Sequence, residues 1–426
     1  MSPPPHGTNS IHDGFPPEVE EVIFFHTLNN PSSWIRFDVD RGNMVQVSRR
    51  WRNVIQGSAR IWTTVVLHHA MNLEHIMYTV GQIRSTSTHL QVVVDTQATD
   101  GGKASLKKYS PTQDAILNWA ETVLPFCSSV VSRASHITVT SLTHDCVVAI
   151  LEGISFSSAL GLEVLCCRAR EHMRYRIPCS HPPHGHDATL RVLTLDKVVP
   201  TWDILDAYAN LCHLSLRDIP YPINRYTARA LLETSPALAS IDVANVTFHA
   251  LSMDDDMTDI VAPHVTDLSL AFGAYPSLNL PPFLKLPKLK SLKLESNLRP
   301  SWSLIGGLCL EYLHAVEYFS MKCPFMDLTA LDCLRHLRAA THIDVRHCDS
   351  GLIRAISQSA VLHTPHILEW IVPSDTPVEV LSKFLGWPNR AVVYEVLDAS
   401  SSSENKYIRW DDGLSCRLVH DTELGF

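Results

Sequence analysis

The chain has 426 residues, 45% of them apolar and 19% charged, which is enough to bury a sizeable core and too many for one small compact domain. A formal net charge of −9 argues against a phosphate-backbone binder, which needs clustered cations to displace counterions, so nucleic acid is not expected as a partner. Eleven cysteines, an odd number with no C-x-x-C spacing, fit reduced thiols used as small apolar side chains better than a disulfide framework.

Residues 1–14, rich in Pro, Ser, Gly and Asn, carry too little apolar surface to fold and are predicted to form a disordered tail. They contain neither a charged n-region nor an apolar h-region, and no run of about 18 apolar residues follows anywhere. These features predict an intracellular protein, of cytoplasm or nucleus, without a membrane span. Residues 18–28 place Val19, Val22, Ile23 and Phe24 at helical spacing behind Pro16 and Pro17, which predicts an amphipathic helix. A link over 29–41 follows. The helical pattern then returns over 44–55 through Val47, Trp51, Val54 and Ile55, and Gly57 ends it.

Residues 62–67 are β-branched and predict a first strand, 73–83 a helix and 89–95 a buried strand. Residues 98–109, with Gly101, Gly102 and three lysines, read as a surface loop. From there an apolar-x-x-apolar-x-apolar unit recurs. Its middle positions are Ile137, Leu165, Leu193, Leu214, Ile241, Leu268, Leu292, Leu313 and Ile343, at intervals between 21 and 30 residues, with a candidate last unit at Leu368 and Ile371. Helical stretches over 145–154, 226–234 and 352–359 separate the strands. A strand of this kind cannot bury its face alone, so neighbours must stack, giving parallel strands on one side and helices on the other. The turn residue of tight repeats, Asn or Cys, occurs only sporadically, as at Asn297 and Cys348, so the repeats are irregular. After Pro373 a helix over 380–385 and strands over 391–397 and 407–410 are predicted to cover the open end.

Candidate sites are few. Cys179, His181, His184 and His186 have the chemistry of zinc ligands, but no second ligand pair stands at a matching spacing, and no metal is expected. The acidic run Asp254, Asp255 and Asp256 reads as a solvated loop, and Arg49, Arg50 and Arg52 as the outer face of the second helix. Trp202, Trp302, Trp370, Trp387 and Trp410 are expected in the core. No phosphate-binding glycine loop, nucleophile elbow or H-E-x-x-H motif is present, so no catalytic residue is assigned and no cofactor is expected.

Four pieces in order carry a resemblance: Phe15-Pro16-Pro17-Glu18-Val19, Ile23-Phe24, Val47-Ser48-Arg49-Arg50-Trp51-Arg52, and Ser58-Ala59-Arg60-Ile61-Trp62. Together they resemble an F-box, with Phe15 where that family has Leu, Ser48 where it has Cys, Ala59 where it often has Pro, and a longer link over 29–41. An F-box followed by degenerate leucine-rich-like repeats is similar to the fungal F-box proteins. The resemblance implies an α/β chain with an F-box unit at 15–62, a leucine-rich-repeat-like solenoid at 63–372 and a capping segment at 373–426. It also implies a non-catalytic substrate receptor of a cullin-RING ubiquitin ligase. Its helical unit would dock on a Skp-type adaptor, and its repeats would hold a target protein near the transferred ubiquitin. Phe15, Pro16, Val19, Ile23, Val47, Trp51, Ile61 and Trp62 carry over as adaptor-facing or F-box core, without separating the two roles. Two alternatives stay open. One is a repeat scaffold without a ubiquitin role, whose N-terminal helices merely cap the solenoid; the other is a degenerate member that has lost ligase activity. A cap would bury the apolar surface of residues 15–62, whereas an adaptor site would leave part of it exposed.

Overall fold

The computed structural model describes residues 15–28, 34–69, 71, 73–83, 90–96, 111–155, 159, 161–171, 189–198, 209–219, 223, 229, 231–233, 235–246, 260–272, 284–296, 312–359, 367–373, 376–384, 391–396, 406–411 and 415–420. The chain is α/β and divides between Ala207 and Tyr208 into two compact units. Among the described residues no helix is long and apolar enough to cross a membrane. The tail over 1–14, the loop over 98–109, the Cys179 and His181 to His186 stretch, Asp254 to Asp256, Asn297, Trp202, Trp302 and Trp387 lie outside them.

The N-terminal unit opens with three helices, α1 (Pro17–Leu28), α2 (Trp34–Val47) and α3 (Arg49–Gly57). The link expected over 29–41 is therefore helical from Trp34, and the single helix expected over 44–55 is two. The break is Ser48, whose backbone is extended (φ −153°, ψ 163°) and whose hydroxyl accepts from the Trp51 N–H at 3.1 Å. A serine in this position caps a helix start in preference to continuing the helix before it. Asp38, Asp40 and Gly42 are weak helix formers, which hides α2 in the sequence; burial of Arg41 overrides them.

Next come β1 (Thr64–Leu67), α4 (Leu73–Gln82), β2 (Leu90–Asp95), α5 (Gln113–Thr122), a short α6 (Ser128–Val131), β3 (Ala134–Ser141), α7 (His144–Gly153), β4 (Val164–Ala169) and β5 (Val192–Asp196). The five strands pair in chain order, all parallel. Register aligns Val92 with Ile137, Ile137 with Leu165 and Leu165 with Leu193, so the recurrent middle positions form one buried ladder. Helix α5 was not predicted; Ile116, Trp119 and Ala120 form its buried stripe. It packs against α7 at Gly153, where a Cβ would meet the Ala120 carbonyl oxygen at 2.4 Å.

At the first turn of α7, His144 is buried, and burial lowers its pKa from 6.5 although the Asp145 carboxylate opposes that. The folded state therefore holds His144 neutral, while the unfolded chain takes up a proton once the pH falls below 6.5. The urea midpoint of the chain is expected to drop between about pH 7.5 and about pH 5.5, and His144→Gln to flatten that drop. An unchanged slope in the variant would rule out His144 as the source.

The C-terminal unit contains β6 (His213–Arg217), β7 (Ser240–Ala244), β8 (Ile260–Val261), β9 (Asp267–Phe272), β10 (Leu284–Lys285), β11 (Ser291–Ser296), β12 (Tyr318–Lys322), α8 (Thr329–Arg335), β13 (His342–Asp344), α9 (Ser350–Gln358), β14 (Glu369–Val372), α10 (Val378–Phe384), β15 (Ala391–Val396), β16 (Lys406–Asp411) and β17 (Ser415–His420). Strands β6, β7, β9, β11, β12, β13, β14 and β15 are parallel neighbours in that order. Strands β16 and β17 then add on antiparallel, and β17 was not predicted. Strands β8 and β10 form a separate two-residue parallel pair.

Two repeats are shifted from their sequence-based placement. The strand expected around Leu313 is β12, where Val316, Phe319 and Met321 are buried and Phe319 aligns with Leu292 and Ile343. Leu313 is buried in a helical turn before it, because apolar residues three apart satisfy a helix as well as this motif. In the last unit Ile367, Trp370 and Val372 carry the pattern, and Trp370 aligns with Ile343. Leu368 is exposed just before β14, while Trp370 and Ile371 are both buried because both faces of that strand are covered.

The residue after a strand repeatedly turns left-handed: Lys197 (φ 58°) after β5, Asp218 (φ 50°) after β6 and Asn245 (φ 53°) after β7. Asp and Asn tolerate that conformation better than other residues with a Cβ. The Asn245 amide donates to the Asp218 carboxylate at 2.7 Å and its N–H to the Ala271 carbonyl at 3.0 Å, stitching adjacent turns together.

Candidate functional site

Two surfaces stand out. The first is the three-helix unit, built around Phe24, Leu28, Ile55, Ile61 and Trp62 together with Val66 of β1, and flanked by Met44, Val45, Trp51 and Val54. The Trp62 indole N–H donates to the Ile55 carbonyl at 2.9 Å, and its ring meets Tyr78 of α4 edge-on at 6.4 Å. Arg41, only 2% exposed, stacks its guanidinium 4.1 Å over the Trp62 ring and donates to the Thr64 carbonyl at 3.0 Å. The core of the helices is thus continuous with the first strand, and Arg41 is one side chain that joins α2 to β1. Sequence reasoning did not single it out, because one arginine in a polar stretch carries no signal of burial.

Helix α1 is apolar on opposite sides. Phe24 and Leu28 face the core, with Trp51 tilted against Phe24 at a ring separation of 4.7 Å. At about 100° per residue, Val19, Val22 and Ile23 fall within an arc of about 100° on the side away from Phe24, and all three are exposed, Ile23 by 46%. Of the eight residues carried over from the resemblance, Phe15, Pro16, Val19, Ile23 and Val47 are exposed, Val47 by 62%. Ile61 and Trp62 are core, and Trp51 is half-buried.

Polar contacts fix α1 against α3. Buried Glu20 pairs with the Arg50 guanidinium at 3.1 Å, and Arg50 also donates to the Phe15 carbonyl. Ser58 donates to Glu21 and accepts from the Ile61 N–H at 3.2 Å. Arg50 is therefore spent on holding the start of α1, and Arg52 donates to the Val45 carbonyl, so neither merely solvates the outer face of α3. Between α1 and α3 lies an open groove of about 700 Å³, rimmed by Glu18, Glu21, Arg49 and Asn53.

The second surface is the polar face of the C-terminal sheet. Alternation along the strands turns His213, Ser215 and Arg217 of β6 to the side away from buried Leu214 and Leu216. By register the same side carries Ser240 and Asp242 of β7, Asp267 and Ser269 of β9, Ser291 and Lys293 of β11, and Tyr318 and Ser320 of β12. A groove of about 740 Å³ runs over these strands. Its flanks are ion-paired: Arg217 with Asp242 at 2.6 Å on one side, Lys322 with Glu295 at 2.5 Å on the other. Beyond β12, Arg346, half-buried, grips buried Asp344 at 2.9 Å, and burial together with Asp344 raises the pKa of the Tyr318 phenol.

Burial pushes the thiols of Cys127 and Cys333 up to about 12 and that of Cys323 up to about 11, which makes them small apolar fillers. Every cysteine whose side chain is described is unpaired. Among the described residues no three His, Cys, Asp or Glu side chains converge in a way that could hold a metal ion. No protein-family model matches this sequence, and no curated protein matches it either.

Proposed function

We propose that the chain is the substrate receptor of a Skp-cullin-F-box type ubiquitin ligase, with α1 to α3 as an F-box and the stacked strands as leucine-rich-like repeats. In this reading the helical unit docks on a Skp-type adaptor, the polar sheet face holds a target protein, and the chain itself does no chemistry. Its contribution is to raise the local concentration of the target's lysines around the conjugating enzyme supplied by its partners. The observation that carries the reading is the second apolar face of α1. A helix whose only task was to cap the sheet would bury its apolar residues on one side, whereas Val19, Val22 and Ile23 are left in solvent opposite a completed core.

A second reading, a protein-interaction scaffold without a ubiquitin role, is favoured by the continuity of the helical core with β1 through Trp62 and Val66. Calorimetry of the full chain against a purified Skp-type adaptor separates the two. Stoichiometric binding is expected, with Val19→Asp plus Ile23→Asp weakening it at least about a hundredfold, since two desolvated apolar anchors become charges. The melting temperature of that variant should stay within a few degrees of the parent, because both side chains already face water. Absence of binding by the parent chain leaves the scaffold reading.

A further inference from the structure

The groove on the polar sheet face contains two charges that no other described residue neutralises. Asp267 on β9 and Lys293 on β11 are both exposed and line the groove, and neither forms an ion pair among the described residues. They stand on adjacent strands, offset by two residues: Asp267 is opposite Ser291, and Lys293 is opposite Ser269. Each has a different neighbour. Asp267 accepts from the Thr266 hydroxyl at 2.6 Å, while the Lys293 ammonium leans across β11 to 6.0 Å from the Tyr318 ring on β12. The charges on either side of them are consumed in the Arg217–Asp242 and Lys322–Glu295 pairs. One negative and one positive group, held apart, therefore remain at the centre of the groove.

Their spacing selects a ligand geometry. Diagonal neighbours on adjacent strands are about 7–8 Å apart. On an extended chain, side chains two residues apart share one face at about 7 Å, whereas those one or three residues apart point to opposite faces. We propose that this groove takes an extended segment of a protein target carrying a basic and an acidic side chain two residues apart, the first meeting Asp267 and the second Lys293. The inference rests on the proposed function in taking the occupant to be part of a protein. The Ser240, Ser269 and Ser291 hydroxyls along the same groove offer hydrogen bonds to the backbone such a segment would bring.

The test uses fluorescein-labelled nine-residue peptides of Gly and Ser bearing one Lys and one Glu at separations of one, two or three residues, with a doubly acidic Glu-x-Glu peptide, titrated into the full chain. At about 50 mM salt the separation-two peptide is expected to bind about fivefold or more tighter than the others, from two weak ion pairs acting together. That advantage should shrink at about 500 mM salt. Asp267→Lys is expected to transfer the preference to the Glu-x-Glu peptide, a gain that misfolding cannot imitate. Equal affinity at all separations, no binding by any peptide, or an unchanged preference in Asp267→Lys would each overturn the inference. A chain that binds the peptide but not the adaptor sinks the ligase reading alone; the opposite result sinks this inference alone.

Discussion

Trp370→Ala is expected to lower the stability of the C-terminal unit by about 4 kcal/mol. Trp370 has no solvent exposure, lies in the middle of β14 and meets Phe384 of α10 edge-on at 5.0 Å. Alanine removes the side chain that ties α10 to the sheet and leaves a void that strands paired on both sides cannot close. The conservative change should behave differently. The Trp370 indole N–H is buried with no hydrogen-bond partner among the described residues, so Trp370→Phe loses some volume but also removes an unsatisfied donor. Its loss is expected to stay near 1 kcal/mol. Urea unfolding followed by far-UV circular dichroism distinguishes these outcomes, and equal losses for Ala and Phe would mean that the N–H is satisfied after all.

The other large effect is expected at Arg41. Arg41→Ala should destabilise the N-terminal unit by about 3 kcal/mol, from a lost charged hydrogen bond to the Thr64 carbonyl and a lost stack on Trp62. Arg41→Lys keeps the charge but not the planar group that covers the indole, and is expected to recover about half of that loss or less. The measurement is tryptophan fluorescence during urea unfolding, because Trp62 is the ring that would be uncovered. Since Arg41 belongs to the core and not to the exposed face of α1, the docking proposed for that face should be unchanged in whatever fraction stays folded. A variant that melts like the parent would show that the Thr64 and Trp62 contacts contribute little to the fold.

This distinction matters for tests of the helical unit. Trp51 packs on Phe24 and Trp62 is core, so alanine at either position mixes unfolding with loss of contact. Val19, Ile23 and Val47 are free of that ambiguity, because their side chains contribute little to the folded core.

Much of the fold was legible before any coordinates. The middle positions of seven repeats, from Ile137 to Leu292, and Ile343 fall in strands, because an apolar-x-x-apolar-x-apolar pattern is the direct imprint of a strand burying one face. The pattern failed where two structures satisfy it, at Leu313, and where both faces of a strand are buried, at Trp370 and Ile371, so that burial no longer marks register. Helix α5 lies between a polar loop and the first repeat and belongs to neither pattern, although Thr112 caps it and Ile116, Trp119 and Ala120 have helical spacing.

The sequence by itself determined the period of the repeats, the parallel α/β architecture and the order of the apolar pieces in the helical unit, since each depends on local spacing along the chain. Tertiary structure alone decided which face each apolar side chain took. Val19 and Phe24 are equally apolar as residues, yet the core formed by Ile55, Ile61 and Trp62 accepts only one side of α1. It also decided the fate of the charges. Glu20 and Arg41 are buried because partners from α3 and from the β1 region reach them. Among the described residues Asp267 and Lys293 form no ion pair, and the sheet register sets them two residues out of step. Burial and pairing are properties of what comes near in space, and nothing in the neighbouring sequence records them.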